Sequence, residues 1–291
     1  MMEIIERTLS EPCEGVLVEP EGGSAVGVLV LAGSSGRIDT DRCRVLARAG
    51  MTALSIRWFG GERQPEGICE IPLETFVEAI DFLKARGSGR VGVLGLSKGA
   101  EAALLVAVRD PRVDAVVALS PTSVVWANVG PGTDGDAYPY RSSWTWKGEP
   151  VPFVPYDEHW TPQEPEGAPI ACRTLYEQSW QAFTEAAQKA AIPIERSAAE
   201  IVLVAGGDDQ MWPSLEFAQE LAARRALAGQ RPARLVTSSD AGHRPRLPGE
   251  GPARHSGQFR YGGTAETDAA LGARAWSDIV AALGGDLHGG G

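Results

Sequence analysis

A chain of 291 residues with 43% apolar and 22% charged residues can bury a sizeable core, which excludes wholesale disorder and favours one large α/β domain with an insertion. Its formal net charge of −11 argues against nucleic acid, whose binding would rest on clustered Lys and Arg. No run of 18 apolar residues is present to span a membrane, and Cys13, Cys43, Cys69 and Cys172 lack zinc-site spacing, so neither membrane, metal nor other cofactor is expected.

The chain starts "MMEIIERTLSEPCEG", with Glu3 and Glu6 where a signal peptide would carry positive charge, and reads as cytoplasmic. Residues 3 to 9 and 14 to 18 fit an antiparallel starting pair. "VGVLVL", Val26 to Leu31, is the first clear strand and runs into the glycine-rich "AGSSGR". A short helix follows, with Thr40 or Asp41 as N-cap and Gly50 as its stop. "MTALSI" reads as a strand and "IPLETFVEAIDFLKARG" as an amphipathic helix, with Phe76, Ala79, Ile80 and Leu83 on one face.

"RVGVLG" is the next strand, and the helix after Gly95 is apolar on nearly every side, as a central buried helix would be. Strand "VDAVVAL" leads into residues 121 to 195, where the alternation breaks. That stretch is crowded with prolines from Pro121 to Pro169 and with Trp126, Trp144, Trp146, Trp160 and Trp180. Such length without periodicity inside a compact domain points to a lid or cap, with Trp126, Trp144 and Trp146 as candidate substrate contacts. A proline-stiffened surface excursion anchored by tryptophans is the plainer alternative.

Alternation resumes with "EIVLVAGGDD", the helix "MWPSLEFAQELAARRALAG", the strand "ARLVTSS" and the final helix "AETDAALGARAWSDIVAAL". Apolar strands alternating with helices predict an α/β fold, a mostly parallel central sheet covered by helices on both faces. The expected organisation is a single domain over residues 1–283, the lid at 121–195, and a frayed tail at 284–291.

The chemistry concentrates at strand ends. G-x-S-x-G is weak evidence alone in a chain with 35 glycines, but "GLSKG" lies between an apolar strand and a helix, where a nucleophile elbow would lift the Ser97 hydroxyl above the sheet. An elbow calls for an acid and then a histidine further along the chain. Asp208 and Asp209 end one strand and His243 follows the next, at the edge where open α/β sheets carry their sites. Asp209 is favoured as the acid, standing three residues after Gly206, with Asp208 free to cap the next helix; Asp240 is a weaker candidate.

His243 would then exchange the serine proton and the carboxylate would fix its tautomer. The backbone N–H groups of Lys98 and Ser34 are the candidate oxyanion donors, although a simple glycine turn would also account for "LAGSSG". The Lys98 side chain, by contrast, is expected in solvent or paired with Glu101, outside proton transfer. His159 reads as a lid residue, His255 and His288 as surface residues. Arg244, Arg246 and Arg254 either meet an anion or form a solvated basic loop.

"GLSKGAE", "GGDDQMWPS" and "AGHRP", in this order, resemble the acyl-CoA thioesterase and bile acid-CoA:amino acid N-acyltransferase family, in its α/β-hydrolase domain of dienelactone-hydrolase type. "VLARAGMTALSIRWFG", "PTSVVWANV", "RSSWTWKGEPVPFVP" and "YGGTAETDAALGARAW" extend the resemblance over roughly residues 10 to 283. It implies an α/β-hydrolase fold, a serine nucleophile at Ser97, and Asp209 and His243 as acid and base. It also implies acyl transfer from a thioester on coenzyme A or a carrier protein.

Hydrolysis is the leading expectation. Transfer to a non-water nucleophile by an acyltransferase or cyclase, a carboxylesterase or dienelactone-type hydrolase, and a non-catalytic scaffold stand behind it. Two departures bear on substrate. The family's full architecture carries an N-terminal β-sandwich, for which the residues before Val26 leave no room, and "RPRLPGEGPARHSGQFR" is unusually rich in arginine. Oligomeric state is left open.

Overall fold

Alternating apolar residues dictate which side of the sheet each strand residue serves. Val28 and Val30 enter one core and Leu29 and Leu31 the other, as the two-residue period of a strand requires. The computed structural model describes residues 2–11, 13–62 and 64–285.

Along the chain, β1 (Ile4–Leu9) and β2 (Gly15–Pro20) form an antiparallel pair. There follow β3 (Val26–Leu31), α1 (Thr40–Arg48), β4 (Thr52–Ile56), the short β5 (Ile71–Pro72), α2 (Glu74–Ala85), β6 (Arg90–Leu96), α3 (Lys98–Arg109) and β7 (Ala115–Leu119). Next come β8 (Trp144–Trp146), β9 (Glu149–Pro150), α4 (Arg173–Ala182), α5 (Thr184–Lys189) and a 3-10 turn, Ile194–Arg196. The chain then runs through β10 (Glu200–Gly206), α6 (Ser214–Leu227), β11 (Arg234–Ser238) and α7 (Ala265–Gly284).

The main sheet has the order β1-β2-β4-β3-β6-β7-β10-β11, and every neighbour from β4 to β11 is parallel. Parallel neighbours require crossovers, and these place helices on both faces. Phe76 and Ile80 of α2, Ala103 and Leu104 of α3, and Phe217 and Leu221 of α6 fill one core. Cys43 and Leu46 of α1, with Leu271, Ala275 and Ile279 of α7, fill the other. The expected mostly parallel sheet with helices on both faces is therefore the architecture found.

Several local details differ from the sequence expectation. Thr40 is the first residue of α1 rather than its cap; Asp39 holds the N-cap position, and its carboxylate pairs with Arg42 at 3.3 Å instead of capping. Helix α7 continues to Gly284, the first residue of the expected tail. Residues 286–291, including His288, lie outside the described residues.

The aperiodic stretch from Pro121 contains helices α4 and α5, which proline and tryptophan content had obscured. It is stitched to the body by a second sheet ordered β5-β8-β9, in which Ile71 pairs with Trp144 and Pro72 with Thr145. Isolated bridges Ile68 to Val129 and Ile170 to Phe259 add further attachments.

Candidate active site

Ser97 sits between β6 and α3 with φ 57 and ψ −122, a left-handed conformation that a non-glycine residue adopts only under local constraint. The constraint is visible on both sides. A Cβ on Gly95 would lie 2.1 Å from the Gly99 carbonyl oxygen, and one on Gly99 would lie 2.4 Å from that of Ala32. Only glycines let the helix start this close to the sheet. The Ser97 N–H donates to Leu119 O at 3.0 Å, so the serine caps the strand pairing while its carbonyl accepts from Ala100 and Glu101.

At the ends of β10 and β11 the two other partners meet. His243 Nδ1 lies 2.7 Å from Asp209 Oδ2, with both side chains removed from water. Asp209 Oδ1 accepts from the N–H groups of Met211 and Trp212, at 2.8 and 3.2 Å, which orients the carboxylate toward the imidazole. The His243 backbone is held on three sides. Its N–H donates to Tyr261 O, its carbonyl accepts from the Ser120 hydroxyl, and Gly242 N–H donates to Asp268 Oδ1 at 2.7 Å. The Asp268 carboxyl is raised by its burial.

Asp208 serves a different end from the one expected. It does not cap α6, whose N-cap position is Pro213; its Oδ2 accepts from Gly263 N–H at 2.7 Å and its Oδ1 from Gln210. Asp240 accepts from Ser239 and remains exposed on the strand-end turn. His159 is almost fully exposed beside Asp157, and His255 is exposed as expected.

Ser97 and His243 line one cavity of about 540 Å³, together with Ser34 and Lys98. A Cβ on Gly33 would lie 3.1 Å from the Ser97 Cβ, which shows how tightly the loop after β3 presses on the elbow. Lys98 opens α3, where the first backbone N–H groups have no intrahelical partner and can face an anion. Among the described residues, no group of three or more His, Cys, Asp or Glu side chains is arranged to hold a metal, and no helix is long and apolar enough to cross a membrane.

The tryptophans singled out as substrate contacts do not line this cavity. Trp126 and Trp144 are fully buried, with their indole N–H groups bonded to Thr122 Oγ1 and Glu101 Oε1. Trp146 packs beside the guanidinium of Arg109, at the end of α3 remote from Ser97. These large rings anchor the inserted segment instead. The cavity wall is built by Tyr140, Tyr156, Tyr176, Val129, Leu175 and Met211. These share no sequence period, so only their convergence in space identifies them.

An aromatic chain connects anchor to site. Trp126 meets Tyr176 edge-on at 4.7 Å, Tyr176 meets Trp212 at 5.4 Å, and Trp212 meets His243 at 5.6 Å between ring centroids. Such edge-on packing fixes ring orientation as well as burying area. Burial raises the Tyr156 and Tyr176 hydroxyls well above their usual range, so both stay neutral.

Lys98 is not in solvent; it is buried and paired with Glu101. Its Nζ donates to Glu101 Oε2 at 2.9 Å and to Ser143 Oγ at 2.8 Å. Glu101 Oε1 accepts from Trp126 N–H and Trp144 Nε1. Burial lowers the Lys98 ammonium and raises the Glu101 carboxyl, while their pairing opposes both displacements. With donors committed to Glu101 and Ser143, the Lys98 side chain is a tether; Glu101 is the partner the sequence offered, but its bonds to Trp126 and Trp144 were not foreseen.

The family described as "BAAT / Acyl-CoA thioester hydrolase C terminal" matches residues 71–288. Acyl-coenzyme A thioesterase 1 of Homo sapiens is 26% identical over 232 residues, covering 78% of this chain and 51% of that protein. Bile acid-CoA:amino acid N-acyltransferase of Mus musculus is 26% identical over 234 residues, covering 79% and 51%. The chain thus spans about half the length of these relatives. A putative dienelactone hydrolase from Klebsiella pneumoniae superposes with a TM-score of 0.58 at 15% identity, covering 97% of this chain and 99% of that one. An esterase from Pyrococcus furiosus gives 0.52 at 14% identity, with 98% and 90% covered. Both likenesses show the α/β-hydrolase fold.

Proposed function

Because the chain belongs to the BAAT / acyl-CoA thioester hydrolase C-terminal family, we propose that it cleaves acyl thioesters of coenzyme A or a carrier protein through an acyl-enzyme on Ser97. The observation that carries this reading is the 2.7 Å contact of Asp209 with His243 on the cavity that Ser97 also lines.

The Ser97 hydroxyl attacks the thioester carbonyl, and its proton passes to the free nitrogen of His243. Asp209 holds the other ring nitrogen protonated and stabilises the imidazolium. The backbone N–H groups of Lys98 and Ser34 receive the oxyanion, each worth on the order of 10² to 10³ in rate. As the tetrahedral intermediate collapses, the carbon–sulfur bond breaks and the thiol leaves with the His243 proton. Water then gives a proton to His243 and attacks the ester; as the second tetrahedral intermediate collapses, the carbon–oxygen bond to Ser97 breaks, His243 returns the proton to the serine oxygen, and the carboxylic acid is released.

The inserted segment serves as a lid, with tyrosines rather than tryptophans against the acyl group. A second reading replaces the water by an amine. The likeness to N-acyltransferases supports it, and it differs only in the deacylating nucleophile.

Incubation with a panel of acyl-CoA thioesters, followed by intact-mass and product analysis, tests both readings. Hydrolysis predicts an acyl adduct on Ser97, absent in Ser97→Ala, and free acid as product. Full activity in Ser97→Ala overturns the mechanism, and an amide product formed with added amino acids would favour the second reading.

A further inference from the structure

A second opening reaches the same serine. A cleft of about 270 Å³ is lined by Ser97 and His243 together with Arg37, Arg244, Arg254 and His255. None of the residues lining it is acidic, although the chain as a whole carries a net charge of −11. Among the described residues, no carboxylate lies within 4 Å of the Arg244 or Arg254 guanidinium. Arg37 reaches Asp39 only at 3.9 Å.

Arg244 is held in place rather than free. Its guanidinium stacks 3.9 Å from the centre of the Tyr261 ring, one of its terminal nitrogens donates to the Arg254 carbonyl, and its buried Nε has no hydrogen-bond partner. Stacking on an aromatic face leaves the edge of the fork able to meet an anion. Arg246, by contrast, is spent on Glu250 and the Gly251 carbonyl and takes no part.

The acyl group and the leaving group diverge from one carbonyl carbon, so a thioester attacked by Ser97 needs two routes away from it. The larger cavity has a wall of tyrosines and aliphatic residues, suited to the acyl group, and the basic cleft is the other route. We propose that the cleft binds the thiol half of the substrate, with Arg37, Arg244 and Arg254 around the phosphate of a phosphopantetheine arm. This assignment rests on the thioesterase reading. It explains how a strongly acidic protein admits a polyanionic substrate: local guanidinium groups offset the repulsion where the leaving group must pass.

The test uses one acyl group on three thiols: coenzyme A, phosphopantetheine, and N-acetylcysteamine, which carries no phosphate. Arg37→Ala/Arg254→Ala changes two exposed or half-buried side chains and is compared with wild type at low and high salt. The expected result is a KM increase for acyl-CoA about tenfold greater than for the N-acetylcysteamine thioester, shrinking as salt rises. An equal effect on acyl-phosphopantetheine supports a contact to the phosphate shared with a carrier arm; an effect confined to acyl-CoA would mean that the nucleotide is bound instead, and overturns the assignment to the arm. Equal KM changes for coenzyme A and N-acetylcysteamine, or none, overturn the cleft assignment while leaving the thioesterase reading intact. No Ser97-dependent cleavage of any of the three by wild type overturns that reading instead.

Discussion

The Lys98 ammonium lies 2.9 Å from the Glu101 carboxylate, and both side chains are withdrawn from water at the start of the helix that carries Ser97. Through Ser143, Trp126 and Trp144, this pair fastens the inserted segment to the elbow. Removing one member of a buried pair strands the other, at about 3–5 kcal/mol. Glu101→Gln is therefore expected to lower the melting temperature by roughly 10 °C in a domain of this size. Adding Lys98→Met removes the stranded charge while the Gln oxygen still accepts from both tryptophans, and should recover most of the loss. Calorimetry of both variants checks this, and a single variant as stable as wild type would contradict it.

The two neighbouring aspartates separate cleanly. Asp209→Asn keeps the shape but disturbs the tautomer of His243, and is expected to lower kcat by about 10⁴ on whichever thioester the wild type cleaves. Asp208→Ala loses two exposed bonds, from Gly263 N–H and from the Gln210 side chain, and should stay within a few-fold of wild-type activity with a stability loss of about 1 kcal/mol. Comparable losses in the two variants would refute the assignment of Asp209.

Ser97 holds its left-handed conformation against its own Cβ. Glycine accepts that conformation without steric penalty, so Ser97→Gly should raise stability by about 1 kcal/mol while abolishing turnover. Denaturant unfolding paired with an activity assay reads both quantities, and a destabilised variant would show that the serine side chain contributes packing beyond the strain it introduces.

Cys172 lines the larger cavity, yet burial pushes its thiol up to about 11. A group raised from about 9 carries roughly a hundredfold less thiolate at pH 8 than an ordinary thiol. Alkylation by iodoacetamide should therefore be slow at pH 8 and accelerate as pH rises toward 11. Labelling of Cys172 at the rate of an exposed thiol at pH 8 would contradict the placement.

Helix α2 and the parallel strands were legible because one-sided or continuous burial imposes a period that a sequence displays. Helices α4 and α5 were not. They lie in a proline-rich segment, and in α4 only Tyr176 and Ser179 are buried, too few to mark a periodic face. The same segment shows why residue type misleads about role. Trp126 and Trp144 attract attention by size, but their indole N–H groups are spent on buried acceptors, Thr122 of the segment itself and Glu101 of α3, while smaller tyrosines stand at the cavity wall.

The sequence alone determined the layered α/β architecture and the strand-end positions of Ser97, Asp209 and His243, because burial period and strand–turn–helix order are properties of neighbouring residues. The tertiary structure decided which of two adjacent acids meets His243, that Lys98 turns inward to Glu101, and that arginines from two distant loops share one cleft. Those outcomes depend on how loops far apart in the chain fold over the sheet edge, and no local pattern encodes that distance.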